Sequence, residues 1–360
     1  MKQPLYIKSA CTISPQHTFR ATEFPAELVS YDDGKMFVID PDYTKYVSPV
    51  AIRRMSRLIK RGIAAGMQCL EDADVQQPDA IITGTARGSV TDMERFLTDM
   101  IKLNEEALNP TFFIQSTYNS VNGWLALQTK ATCYNQTYVH RGFSLELSLF
   151  DAQLLLADTN DIRNILVGGY DELTPEYFFI RDKSGYYKKE IPASLSLLQH
   201  SDTKGSIAGE GASFFVVSNE QGDASCAIYG IQMLTAPTYA ELAAATDTLL
   251  AENGLTKEDL DVLLYGINGD SRYNHLTYPF LENISGNTTV ATYKQLCGEY
   301  DTASGFALWL AQLISKTKEV PKEIIYLSGT SASVKNMLIC NITIAGNVSL
   351  MLMKSINEFI

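Results

Sequence analysis

Three short segments of this chain recur in the same order, and a chain that echoes itself at long range has few folds open to it. Residues 79–84 (DAIITG) return as 261–266 (DVLLYG), residues 165–168 (ILVG) as 325–329 (IYLSG), and residues 212–217 (ASFFVV) as 348–353 (VSLMLM). Each is a short apolar run bounded by glycine or polar residues, which reads as a buried strand in an α/β alternation. An amphipathic segment, residues 53–73, precedes the first Asp-to-Gly strand. A second, residues 237–253, precedes its echo, with Thr238 and Glu241 spaced for a capping box. The pattern predicts an internal duplication: two similar α/β halves packed back to back. The expected division is residues 1–222 and 223–360.

The stretch from 137 to 172 organises the first half. An extended run at 137–139 turns at Arg141-Gly142 into a helix that is apolar on nearly every side, with a thin polar line of Ser144, Ser148 and Asp151. Such a helix belongs in the middle of a large core or in a subunit interface. It feeds a strand at 164–167, expected to stop at Gly168-Gly169 before Asp171 and Glu172. A strand, a tight elbow and a central helix suit a nucleophile, because the elbow lifts one side chain to a helix N-terminus where anionic character is favoured. Here the elbow offers Arg141, Gly142 and Phe143, and no nucleophile.

The rest of the chain narrows the class. With 360 residues, 46% hydrophobic and 19% charged, it can bury one large core or two modest ones. Its six Cys are scattered and its four His dispersed. This predicts reduced core thiols in a cytoplasmic protein, with no metal site and no cofactor. A net charge of −12 argues against nucleic acid and anionic membranes as partners, and no run has the length or the character of a membrane span or a signal peptide. Helices are expected near 91–103 and 118–127, and the Asn122-Gly123 pair inside the latter predicts close backbone contact with a neighbour. Residues 174–200 lack a period and predict a surface excursion. Arg53, Arg54, Arg57, Lys60 and Arg61 crowd the first half of the helix at 53–73. They form either a solvated face or intramolecular anchor, or a docking patch for an acidic carrier protein.

The GTARG loop, the elbow and helix leading to VGGYDE, the block KGSIAGEGASFFVV and the terminal IAGNVSLML resemble the β-ketoacyl-acyl-carrier-protein synthases of the thiolase fold. The similarity spans nearly the whole chain. Within that family, NPTFFIQSTYNSVNG and GFSLELSLFDA resemble the divergent branch that includes chain-length-factor-like subunits of aryl polyene and related polyketide-type pathways. The resemblance implies an α/β, five-layered α-β-α-β-α arrangement of two duplicated halves. It also implies a Cys that holds the acyl chain and two His that assist decarboxylation and stabilise the anions that follow. Carried over by position, the Cys falls on Gly142 or Phe143. The first His falls on Gly266 in GINGD, and the second on Glu299 in the Lys294–Gly298–Glu299 motif, where Lys294 is retained.

On this resemblance the chain is expected to be a non-catalytic subunit that pairs with an active ketosynthase and walls off its acyl tunnel. Phe112, Phe113, Tyr118, Phe143 and Leu145 are the expected tunnel-end or interface residues. Lys294 and Glu299 are expected to pair across the former active site. Two alternatives stand beside it. One is an acyltransferase or decarboxylase of altered chemistry using Ser144, His140 or Glu299, with Cys297 read as a small buried residue. The other is an acyl-binding, scaffolding homodimer.

Overall fold

The computed structural model describes residues 3–158 and 161–356; residues 159 and 160 of the central stretch lie outside them. The first half contributes β1 (Leu5–Ile13), β2 (Lys35–Met36), β3 (Ala80–Thr85), β4 (Tyr134–Val139), β5 (Asn164–Asp171), β6 (Ala208–Gly209) and β7 (Gly211–Ser218). The second contributes β8 (Cys226–Leu234), β9 (Val262–Gly266), β10 (Thr289–Thr292), β11 (Ile325–Leu327), β12 (Asn336–Ile342) and β13 (Val348–Ser355). The helices of the first half are α1 (Pro49–Ile52), α2 (Arg57–Asp72), α3 (Val90–Lys102), α4 (Pro110–Ser116), α5 (Ser120–Thr129), α6 (Ser144–Asp158) and α7 (Pro175–Lys183). Those of the second are α8 (Tyr239–Ala251), α9 (Asn274–Glu282), α10 (Lys294–Cys297) and α11 (Ser304–Thr317). Among the described residues no helix is long and apolar enough to cross a membrane.

The duplication is visible in strand order. In the first half β4 and β5 flank β3 in parallel, and β7 and β1 follow antiparallel. In the second, β10 and β12 flank β9 in parallel, and β13 and β8 follow antiparallel. Leu5 to Ile7 of β1 pair with β8, so both halves join one eleven-stranded sheet, and β2 with β6 forms a separate ladder. The first and third echoes therefore match β3 with β9 and β7 with β13. The second does not hold. β5 corresponds to β12, which pairs in parallel with β9, whereas residues 325–327 form β11, an edge strand antiparallel to β10. Ile-x-Leu in β11 covers a sheet edge, with Tyr326 and Leu327 exposed, rather than filling a core.

Alternation along the strands sorts the core into layers. One face of the first half, with Ile81, Leu166, Phe214 and Val216, packs on α2 and α5. The outer face of the second, with Leu263, Leu338 and Leu350, packs on α8 and α9. Between the halves lie α6 and α11, clasped by Ile82, Val167 and Phe215 from one side and Leu264, Ile339 and Met351 from the other. This is the five-layered α-β-α-β-α arrangement. Residues 304–315 of α11 are buried without a break, Phe306 and Trp309 among them, at about 1.5–3 kcal/mol for each large side chain removed from water. The more deeply buried of the two central helices is thus α11, in a segment whose apolar run the echoes did not single out. At the surface of the same half, Thr238 and Glu241 form the capping box expected of α8.

Two local expectations are corrected. β5 does not stop at the Gly-Gly pair but runs through it to Asp171. Gly168 serves packing, since a Cβ there would lie 2.3 Å from Cε1 of Phe214. Among the described residues nothing lies within 4 Å of a Cβ position on Gly123, so no close neighbour there requires a glycine. The buried partner of that pair is Asn122, whose Nδ2 donates to Gln136 O (2.8 Å) and Asn135 Oδ1 (3.1 Å) and whose Oδ1 accepts from the Thr83 hydroxyl.

Candidate functional site

The elbow between β4 and α6 is closed. Gly142 sits at φ +93°, a left-handed conformation that side chains resist. A Cβ there would be 2.9 Å from Cγ2 of Thr343. The loop carrying Thr343 is tied down by Asn347, whose Nδ2 donates to Arg141 O (3.0 Å) and whose N–H donates to Thr343 Oγ1 (3.1 Å). Phe143 is buried and stacks on His140, with ring centroids 5.0 Å apart and planes 17° from parallel. His140 is itself exposed at the strand end. Ser144 is fully buried and its hydroxyl has no partner among the described residues, while its carbonyl accepts from Ser148. It therefore makes no helix-capping bond.

The second-half positions converge on Glu299. Its Oε2 accepts from Lys294 Nζ at 2.7 Å and from Asn268 Nδ2 at 3.2 Å, and its Oε1 accepts from Ile344 N at 3.1 Å. Both side chains of the ion pair are essentially out of water, at 0% and 2% exposed. Lys294 also donates to Ile342 O (3.3 Å). Gly266 leaves room that Tyr293 takes: a Cβ would be 2.6 Å from its Oη, which donates to Asn341 Oδ1. Cys297 is fully buried, and burial pushes its thiol far above the ordinary range, so it is no thiolate nucleophile. The cavity beside Glu299, shared with Tyr300, Asp301, Arg181 and Asp171, holds about 10 Å³, the space of one water. Asn268 was not singled out in the sequence. The signal was present, since it occupies the third position of GINGD, the stretch on which the resemblance places the first His.

Asp171 and Glu172 act as internal caps. Asp171 accepts from Ala86 N (2.8 Å), Thr85 Oγ1 (3.0 Å) and Thr302 Oγ1 (2.9 Å). Glu172 accepts from Thr91 N (2.8 Å) in the first turn of α3. Burial, reinforced by Asp301, pushes the Asp171 carboxyl up to about 7, and burial raises Glu172 to about 7.

The basic cluster divides. Arg61 is buried, with Nε 2.8 Å from Asp40 and Nη1 3.0 Å from Glu210, so it is an internal anchor and leaves the docking set. Lys60 lies half-buried over the Tyr43 ring, and α2 begins only at Arg57. Arg53, Arg54 and Arg57 remain exposed. The five expected tunnel residues also separate. Leu145 is in the central core and Phe143 lies under His140. Phe112 sits beneath the Arg95 guanidinium, 4.1 Å from its ring centroid, while Phe113 and Tyr118 are exposed. Leu97 and Ile101 of α3 and Ile114 of α4 are exposed as well, and α3 packs on α4; β4 has β3 on one edge and no strand on the other among the described residues.

Solved structures share this architecture. A ketosynthase/chain length factor for ishigamide superposes with a TM-score of 0.77 at 15% identity, over 99% of this chain and 100% of that one. A type II polyketide synthase acyl-carrier protein in complex with its ketosynthase, bound to the hexaketide, gives 0.72 at 16% identity, over 98% and 100%. A beta-ketoacyl synthase from Burkholderia phymatum STM815 gives 0.74 at 13% identity, over 99% and 100%. No curated protein matches the sequence. The family described as beta-ketoacyl synthase, N-terminal domain, matches residues 34–248, well over half of the chain. The chain, with its closed elbow and its glutamate at the inner site, belongs to the beta-ketoacyl synthase family.

Proposed function

We propose that this chain is a non-catalytic subunit, similar to a chain-length factor, that pairs in the cytoplasm with an active β-ketoacyl synthase and shapes the cavity in which the partner's acyl chain grows. The pathway class is fatty acid, polyketide or aryl polyene-type synthesis. The observation that carries the reading is Glu299. Condensation asks for a neutral proton donor at this position. A carboxylate with both oxygens already engaged by Lys294, Asn268 and the Ile344 amide has nothing to offer an enolate. The closed elbow at Gly142 supports the same conclusion. Pairing is supported by the edge of β4, which has no strand partner among the described residues, and by the exposed apolar side chains Leu97 and Ile101 on α3 and Phe113 and Ile114 on α4, which packs against α3. Arg53, Arg54 and Arg57 are the proposed contacts for an acidic acyl carrier protein.

The test is co-expression with a synthase that carries the Cys-His-His set, followed by native mass spectrometry and product sizing. A stable heterodimer that Ile101→Asp with Ile114→Asp abolishes supports the proposal. A chain that forms only its own dimer points to the scaffold reading. A covalent acyl adduct, or carbon dioxide released from malonyl carrier protein by the chain alone, replaces the proposal with an enzyme of altered chemistry.

A further inference from the structure

Residues 175–188, which are α7 and the turn after it, separate the inner site from solvent. Tyr177, Arg181 and Tyr187 line the small cavity beside Glu299, while Phe179 and Ile180 of the same helix are 59% and 63% exposed. α7 therefore turns two large apolar side chains to water and carries a buried guanidinium on Arg181. Burial of apolar surface does not set a helix in that orientation. Directional contacts do, and they form a ladder of alternating cations and rings. The guanidinium of Arg87, on the β3–α3 loop, lies 4.5 Å from the ring centre of Tyr177. Arg181 follows, 5.3 Å from Tyr177 and 4.4 Å from Tyr186. Arg272, between β9 and α9, is 5.8 Å from Tyr186 and 5.9 Å from Tyr273. Every rung is within the range of a cation–ring attraction. The last ring reaches the inner site, because Tyr273 Oη donates to Ile344 O (2.7 Å) and the Ile344 amide donates to Glu299.

The ladder thus crosses from the first half of the molecule to the second over the segment it holds. Beneath it Phe178 stacks on Tyr187, with ring centroids 4.9 Å apart, and Tyr187 shares a buried cluster with Leu173, Ala208 and Ile344. The far end is pinned by Lys188, whose Nζ donates to His200 O, Thr203 Oγ1 and Gly269 O, each at 2.8 Å. We infer that residues 175–188 are a strap, latched by the ladder, that shuts the inner site of this chain against a thioester arm. Each rung is weak alone, and an element placed by a few such contacts opens locally far more often than the whole fold unfolds. Losing one rung therefore raises local opening and leaves the sheet intact. The inference goes beyond the subunit reading and concerns the chain by itself, whatever partner it has.

The test uses the isolated full-length chain carrying Ile344→Cys, which places a thiol in the cluster with Tyr187 and beside Glu299. The probe is a maleimide on a pantetheine arm, and labelling at position 344 is timed by peptide mass spectrometry. Cys226, fully buried in β8, is timed in the same samples as a clock for global unfolding. With the ladder intact, position 344 should label at least about a hundredfold more slowly than a thiol in a short peptide. Tyr186→Ala and, separately, Tyr177→Ala each remove a ring shared by two guanidinium groups and leave every ion pair in place. Each should speed labelling at position 344 by about tenfold or more, with Cys226 unchanged. Fast labelling at position 344 with the ladder intact, or a rate unmoved in both variants, overturns the inference. So does a joint rise at position 344 and Cys226, because the rungs would then be holding the fold and not a strap.

Discussion

Replacing Lys294 by Met removes the cation from a buried pair and leaves the Glu299 carboxylate in place. Glu299 Oε2 then keeps only Asn268, at 3.2 Å, and Oε1 keeps only the Ile344 amide, at 3.1 Å. Neither partner carries charge, and the carboxylate stays buried. Breaking one side of such a pair costs about 3–5 kcal/mol. With an unfolding entropy of about 2.1 cal/mol/K per residue, a 360-residue chain has about 0.76 kcal/mol/K at its midpoint, so the loss corresponds to about 4–7 °C. The double variant Lys294→Met, Glu299→Gln removes both charges while leaving an amide oxygen to accept from the Ile344 N–H. It is expected to melt above the single variant, because no uncompensated buried charge remains. Thermal melts followed by circular dichroism, with all variants at one pH and one scan rate, give the comparison. If the single variant melts with the parent, or the double melts as low as the single, the account of Glu299 as a carboxylate stabilised by Lys294 is wrong.

Three further outcomes follow from the same geometry. Asp171 is held up to about 7 by burial and by Asp301, above its ordinary value of 3.8. The folded state thus binds more protons than the unfolded state between about pH 4 and 7, and stability falls as pH rises through that window. From pH 5.5 to 8 this group alone accounts for a loss on the order of 2 kcal/mol, visible as a lower urea midpoint, and Asp301→Asn should shrink it. Gly142→Cys is expected to destabilise the fold by about 1–3 kcal/mol through its φ of +93° and the Thr343 contact; incubation with an acyl-pantetheine thioester should give no adduct by mass spectrometry. Trp309→Ala, in the buried run of α11, should cost about 3–5 kcal/mol in denaturant titrations, and a loss under 1 kcal/mol would show that the middle layer is loosely packed.

The duplicated architecture was legible because strand alternation is written locally. The pairs 79–84 with 261–266 and 212–217 with 348–353 fall on equivalent strands since both members fill the same buried place beside the same neighbours. Residues 325–329 misled because an Ile-x-Leu run looks alike whether it faces a core or merely edges a sheet, and only pairing to β9 or β10 tells them apart. At the site, the positions on which the resemblance places the family's Cys and two His (Gly142 or Phe143, Gly266 and Glu299) could be read from the motifs, and so could the pairing of Glu299 with a lysine five residues before it. What fills the space could not. Thr343 against Gly142, Asn268 on Glu299 and Tyr293 over Gly266 are contacts between segments far apart in sequence. Arg61 was misleading for a related reason: its partners Asp40 and Glu210 lie on either side of it in the chain, and charge counting along one helix sees neither.

The closed elbow also bears on ancestry. A glycine codon can lie a single base from a cysteine codon, so a lost thiol is in principle quick to regain. Here such a revertant would meet Thr343 before it met any substrate, and the loop bearing Thr343 is itself fastened to the backbone at Arg141 by Asn347. On the reading proposed above, descent in this lineage works as a ratchet: the loop would have to be remodelled before any returning nucleophile could be of use to selection.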